Sequence, residues 1–296
     1  MVRLSPRKVA WLLASGIPGL WWGGAALSVE TVAVAAGLGF GTFLFGHTVG
    51  LHRGVLHRAF RMHQGTRRLL TWLFVLTGLG GPLTWISAHD QRDHWQNRLD
   101  APDWFRMEHG LVRDGAFTLL TRYDQPQRFG DVGDLADPWL RWLERTWWAH
   151  NVLLVGVLWG VGGWEHAVVG GPLRIFLAQL LHWWVGYEAH ARGELRHPIP
   201  GAVEQGRNRW LLGVLSLGEG FHNNHHAFPN SARIGHRAWE LDLGWWVIRA
   251  LEAMGLAWDV VRPHQARSRT SPAPQGSDVE RSAVGVVRRT ARHFGG

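Results

Sequence analysis

The stretch GEGFHNNHHAFP, residues 218–229, puts His222, His225 and His226 into five positions, with Glu219 ahead of them and two asparagines between. On a helix, positions i, i+3 and i+4 share one face, so the three rings converge. Convergent neutral imidazoles are a metal-binding arrangement. A polar loop that happens to be rich in histidine is the competing reading, and the rest of the chain decides between the two.

The 296 residues include no cysteine, which excludes thiolate zinc, iron–sulfur ligation and disulfides. Any metal must be held by His, Asp, Glu or Asn. Tryptophan is over-represented, 20 against 2 tyrosines, and the 18 histidines are also unusual. The net charge of +8 comes almost wholly from arginine, Lys8 being the only lysine. A basic chain rich in tryptophan points to a membrane interface, with lipids rather than nucleic acid as partners.

A mean hydropathy of −0.10 looks too polar for a membrane protein until the apolar residues are located. VAWLLASGIPGLWWGGAAL (9–27) and TVAVAAGLGFGTFLFGHTVG (31–50) are each long enough to cross a hydrocarbon core of about 30 Å. TWWAHNVLLVGVLWGVGGW (146–164) and AVVGGPLRIFLAQLLHWWVGY (167–187) make a second pair. The first run passes straight into another apolar run without a cleavage site, so it is not a signal peptide. Both pairs read as helical hairpins. Arginines cluster before, between and after the pairs, whereas the short loops near 28–30 and 164–166 carry no Lys or Arg. By the positive-inside rule the N-terminus and the histidine clusters face the cytoplasm.

A fifth run, RRLLTWLFVLTGLGGPLTWISAH (67–89), is interrupted by GLGGP, where Gly and Pro break a helix ladder. If it crossed, His52 and His57 would be on the opposite side of the membrane from His89. A shared metal site forbids that, so 67–88 is expected as an interfacial or re-entrant segment, leaving four spans. The expected architecture is therefore an all-α integral membrane domain over 1–262, with two hairpins, an interfacial helix and a cytosolic helical cap. From Pro263 the chain loses hydrophobic periodicity and reads as a disordered basic tail, 263–296.

Further histidines lie in GHTVGLHRGVLHRAF, where His47, His52 and His57 are five apart. Five residues turn about 140° on an α-helix, so these rings are not expected to share a stripe. WISAHDQRDHW places His89 and Asp93 one turn apart, with His94 adjacent. QLLHWWVGYEAH supplies His182 within an apolar run and His190 two turns later. A histidine in such a run is costly unless paired or ligated.

HxxxxH after a second span, HDQRD after a broken run, a lone His late in a fourth span and then GEGFHNNHHAFP together resemble the membrane fatty acyl desaturases of the stearoyl-CoA type, over about 30–262. The resemblance implies O₂-dependent desaturation of an acyl chain on CoA, acyl carrier protein or a lipid. It further implies two iron ions in a cytosolic cap above a buried acyl tunnel. By position it implies His52, His57, His89, His182, His222, His225 and His226 as ligands. Arg92 and Asp93 stand where the family's second box carries histidines, and Ala178 stands where it carries Asn. A bacterial branch with an HDxRD box is closer, and there Asp93 is a candidate ligand, with His47, His94 or His190 available to compensate. Glu219 is a candidate to orient a ligating ring. The implied location is a bacterial cell membrane, and the implied electron donor is a separate ferredoxin-like protein with its reductase. Hydroxylation or alkyne formation at the same centre, and a non-catalytic scaffold, are the rival readings.

Overall fold

The computed structural model describes residues 2–95, 97, 98, 100–102, 105, 110–123 and 136–269. Helices dominate. α1 (Pro6–Ala26) starts on Ser5, whose hydroxyl accepts from the Lys8 amide, with Pro6 in the first turn. α2 (Val29–Gly41) starts on a capping box between Ser28 and Thr31 and runs without interruption into a π-helical segment, Thr42–Leu56. Next come α3 (Gln64–Val75), α4 (Pro82–Trp95) and α5 (Leu111–Leu120). A long α6 (Pro138–Val168) leads through a short π turn to α7 (Arg174–Ala191), and the cap adds α8 (Trp210–Leu215), α9 (His222–Ala227) and α10 (Leu243–Ala253). Two short antiparallel ladders amend the all-α expectation. β1 (Val2–Leu4) pairs with β3 (Thr121–Tyr123), and β2 (Arg61–Met62) pairs with β4 (Ala257–Trp258).

Two helical stretches, Val29–Leu56 and Pro138–Ala191, are long and apolar enough to cross a bilayer. The second turns back on itself. Gly162 and Gly163 leave helical dihedrals. A Cβ on Gly170 would meet Leu158 at 2.8 Å, and one on Gly171 would meet Val155 at 2.5 Å. Twelve residues of unbroken helix would hold Gly170 about 18 Å from Leu158, so the chain reverses between them. Beside this reversal His166 Nε2 lies 3.4 Å from Glu30 Oε1, which brings the two short uncharged-by-arginine loops together. α1 turns Leu13, Ile17, Leu20, Trp21 and Trp22 outward, and α6 does the same with Val152, Leu153, Trp159 and Val161. Apolar surface on that scale suits a hydrocarbon solvent.

The run 67–89, expected as an interfacial or re-entrant segment broken at GLGGP, forms two helices. GLGGP makes the turn between α3 and α4, with Gly78 and Gly80 at φ 79° and 115°, where a side chain would be strained. α3 packs back along the π segment so closely that a Cβ on Gly46 would stand 2.2 Å from the Phe74 amide nitrogen, and one on Gly50 would stand 2.7 Å from Leu70. α4 then returns, and His89 ends with its ring centroid 5.6 Å from that of His57. The last carbonyls of a helix have no partner within it. Here neighbouring helices supply them: Asn151 donates to the Val75 carbonyl at 2.9 Å, Arg174 to that of Leu76 at 2.9 Å, and Trp11 to that of Gly78 at 2.8 Å. Irregular backbone inside a bilayer survives only with such partners.

The core lies on both sides of the π segment. Val49 packs with Phe60, Leu70 and Ile248, while Leu51 and Val55 pack with Phe74, Ile86 and Leu140. Of the stretch 263–296 expected as a disordered tail, residues 263–269 are described and are held in place. Pro263–Gln265 form a 3₁₀ turn, the Arg267 amide donates to Asn230, and the Arg269 amide donates to the Ala227 carbonyl. Residues 270–296 lie outside the described residues.

Candidate metal centre

Histidines 47, 52 and 57 do line up, contrary to the α-helical expectation. The His57 amide donates to the His52 carbonyl at 3.0 Å, an i→i+5 bond. Each turn therefore holds more residues than the 3.6 of an α-helix, and side chains five apart stack. The His52 ring lies 4.7 Å from that of His57 and 6.0 Å from that of His47. α4 brings His89 to 4.8 Å from His52, and α9 brings His225 to 4.7 Å from His52 and 4.6 Å from His57. One nitrogen from each of His52, His57, His89 and His225 lies within 4.8 Å of the others.

A second group on the same criterion is His190, His222 and His226. The Nε2 atoms of His222 and His226 are 2.9 Å apart, and the His190 ring lies 4.8 Å from that of His222. Asp93 stands between the groups. Its Oδ2 is 3.6 Å from His57 Nε2, and its Oδ1 is 3.3 Å from His89 Nε2 and 3.8 Å from His226 Nδ1. Two atoms bound at right angles to one metal, each at about 2.1 Å, are separated by about 3 Å. The Asp93 spacings suit that arrangement.

His182 belongs to neither group. Eight residues of α7 separate it from His190, about 12 Å of rise and 80° of rotation, so only one of the pair can reach the cap. His190 does. His182 packs instead against His47, with ring centroids 5.2 Å apart, in the wall of a cavity below the cap. His94 is also absent from the groups. Its ring lies 4.9 Å from that of Trp95, and burial with the nearby Arg98 pushes its pKa down to about 4.

Carboxylates lie beside two of the rings, close enough for a charge contact though outside hydrogen-bond geometry. Glu219 Oε2 is 2.8 Å from His52 Nδ1, and its Oε1 is 3.2 Å from Arg53 Nη2. Arg53 is fully buried and also pairs with Asp242 at 2.8 Å. Glu204 Oε1 lies 2.9 Å from His190 Nδ1. A carboxylate at Nδ1 favours the tautomer whose lone pair is on Nε2. Glu219 was expected in this role, whereas Glu204, Arg53 and Asp242 were missed, because no local spacing marks them. The asparagines of HNNHH hold α9 in place. Buried Asn224 donates to the Ile234 carbonyl and to Glu240, both at 2.9 Å, and accepts from Asn208 at 2.7 Å. Asn223 donates to the Gly206 carbonyl at 2.9 Å.

The donor set fits a cation. The Nε2 atoms of His52, His57, His89, His190 and His225, and Oδ1 of Asp93, are buried without a hydrogen-bond partner. Each such group costs about 1–3 kcal/mol if left unpaired, and ligation removes the deficit. Burial holds His57, His222, His225 and His226 well below the usual imidazole value, so their lone pairs are free near neutrality. Imidazole nitrogens with one carboxylate suit iron. Both groups adjoin a cavity of about 520 Å³ that runs from Val32 and Leu173 past Phe40 and Leu177 to His52 and His222.

The fatty acid desaturase family model matches residues 30–262. A chloroplastic palmitoyl-monogalactosyldiacylglycerol delta-7 desaturase of Arabidopsis thaliana is 32% identical over 242 residues, 80% of this chain and 64% of its own length. An acyl-CoA 5-desaturase of Anemone leveillei is 32% identical over 237 residues, 76% of this chain and 70% of its own. The sn-1 stearoyl-lipid 9-desaturase of Synechocystis is 30% identical over 226 residues, 74% of this chain and 68% of its own. This chain thus spans about two thirds of the length of these relatives. The family match takes in both imidazole groups and Asp93, and the chain belongs to the fatty acid desaturase family.

Proposed function

We propose that the chain desaturates a fatty acyl substrate, carried on CoA, acyl carrier protein or a lipid, at a centre of two iron ions with O₂ as co-substrate. The observation that carries this reading is the pair of buried imidazole groups opening onto one largely apolar cavity. Two hydrogens leave neighbouring methylenes as the carbon–carbon bond becomes double. Those two hydrogens, with two electrons and two protons from outside, reduce O₂ to two waters.

His52, His57, His89 and His225 are the ligands we assign to one iron, and His190, His222 and His226 to the other, with Asp93 between them. His190 takes the role first given to His182. The irons supply the oxidising power that breaks an unactivated C–H bond. The protein supplies placement. Phe40, Leu177 and Leu181 line a largely apolar cavity that would take an acyl chain, and fixing one methylene beside the oxidant is the main demand of such a reaction. Glu219 and Glu204 keep the His52 and His190 rings aimed. Electrons are assigned to a separate ferredoxin-like donor.

The membrane reading has α1, Val29–Leu56 and the two arms of Pro138–Ala191 as four passes, with α3 and α4 entering and returning on the cytoplasmic side. The antiparallel packing of α3 on the π segment and the return of His89 to His57 support it. Cysteines placed at Gln64 and Gln96 are expected to react with an impermeant thiol reagent from the cytoplasmic side only. Reaction of one of them from outside sinks the four-pass reading.

The test of activity is lipid analysis of a host expressing the gene, beside iron content of the purified protein. A new monounsaturated acyl chain and two irons per chain are expected. A hydroxylated or acetylenic product would move the reading to those reactions. No product, with well under two irons, would make the chain a scaffold.

A further inference from the structure

We infer that Arg92 faces an open coordination position of the second metal and holds a small anion there, an inference that rests on the two-iron reading above. The two imidazole groups are not equal. The first has four imidazoles and the second three, with Asp93 within reach of both. The metal with fewer protein ligands is the one that would keep a position for an exogenous one.

Arg92 lines the cavity beside the helix that carries His190. It precedes Asp93 on α4, so its side chain leaves the helix about 100° away from the carboxylate. The guanidinium reaches α7, where its Nη1 is 3.3 Å from the place a Cβ would take on Gly186. Gly186 is one turn before His190 on the same helix face. The charge of Arg92 is close enough to act on both His190 and His182. His222 lines the same cavity.

Unlike half-buried Arg92, Arg53 and Arg174 are buried and have protein acceptors, although Arg53 Nε and Arg174 Nη2 have none. Arg53 is held by Glu219 and Asp242, and Arg174 donates to the carbonyls of Gly170 and Leu76. Arg92 has no such partner among the described residues. Of the carboxylates beside it, Glu219 is committed to His52 and Arg53, and Asp93 is turned into the imidazoles. Lys8 adds a second positive charge within range, its Nζ donating to the carbonyl of Thr118, another residue of the cavity wall. Positive charge without a counter-charge, beside an open metal position in an apolar cavity, calls for an anion. The guanidinium fork can donate two N–H groups to one. A fixed cation there would stabilise negative charge placed at that position.

The test uses the full-length protein loaded with cobalt(II) and titrated with azide, following the cobalt absorption bands. The parent is expected to hold two cobalt ions and to bind azide saturably. Arg92→Gln should keep both ions and bind azide about tenfold more weakly or worse, with Arg92→Lys between the two. Arg92→His offers a fourth imidazole and should keep both ions while losing azide binding. Azide affinity in Arg92→Gln equal to the parent's overturns the inference. Loss of cobalt from Arg92→Gln overturns it too, because Arg92 would then be holding the fold or the metal. A parent that fails to hold two ions is a different failure, that of the two-metal reading itself.

Discussion

The first and second imidazole groups are built by different means. In the first, helix geometry does the placing: the π pitch stacks His52 on His57, and the close approach of α3 at Gly46 and Gly50 sets where α4 returns with His89. In the second, His222 and His226 ride on a helix of six residues. Its position depends on side-chain hydrogen bonds from Asn224 and Asn223, and on Glu204 beside His190. The first group rests on packing for His52, His57 and His89 and shares the α9 network only through His225, whereas His222 and His226 both depend on that network. The first should therefore fail when backbone spacing is disturbed, and the second when buried hydrogen bonds are lost.

The largest effect is expected where the groups meet. His225 reaches both the first group and the set of Asp93 and His226. His225→Ala should abolish desaturation and lower both irons, measured as product and as iron per chain. Loss of a single iron with the second group intact would show that the groups are independent.

Backbone spacing comes next. Gly46→Ala forces a Cβ to within 2.2 Å of the α3 backbone, and overpacking of that kind costs about 3 kcal/mol or more. Gly37, whose Cβ would meet nothing within 4 Å, is the control. Gly37→Ala should be neutral or slightly stabilising, since alanine is the better helix former. Thermal unfolding in detergent compares the two, and equal midpoints would mean that α3 is not locked to the π segment.

Asp93 tests the asymmetry of charge. Asp93→Ala should lower bound iron and remove activity, whereas Asp93→His should keep part of the iron. Full iron in Asp93→Ala would make Asp93 a hydrogen-bond partner of the rings instead of a ligand. The smallest change in metal is expected at the cavity wall. His182→Ala should keep both irons, while His190→Ala should lose one. The reverse pattern would restore the assignment made by sequence order and undo the one made by geometry.

Local chemistry made several features legible in the sequence. Three histidines at i, i+3 and i+4 converge on any helix, apolar runs of bilayer length identify themselves, and GLGGP marks a chain reversal because glycine and proline cannot continue a helix. His89 and Asp93 at one-turn spacing belong to the same class. The sequence by itself therefore determined the helical class, the stretches apolar enough to cross a bilayer and most of the imidazoles that the structure brings together. Only the tertiary structure places His190 beside His222 and His226 and leaves His182 in the cavity wall, because two histidines on one apolar helix differ in depth and rotation relative to partners that lie elsewhere in the chain. It also decided that His47, His52 and His57 come together, since a π segment holds more residues in each turn than an α-helix. Glu204, Arg53 and the direction taken by Arg92 depend in the same way on helices brought together from distant parts of the chain, and no local period encodes that.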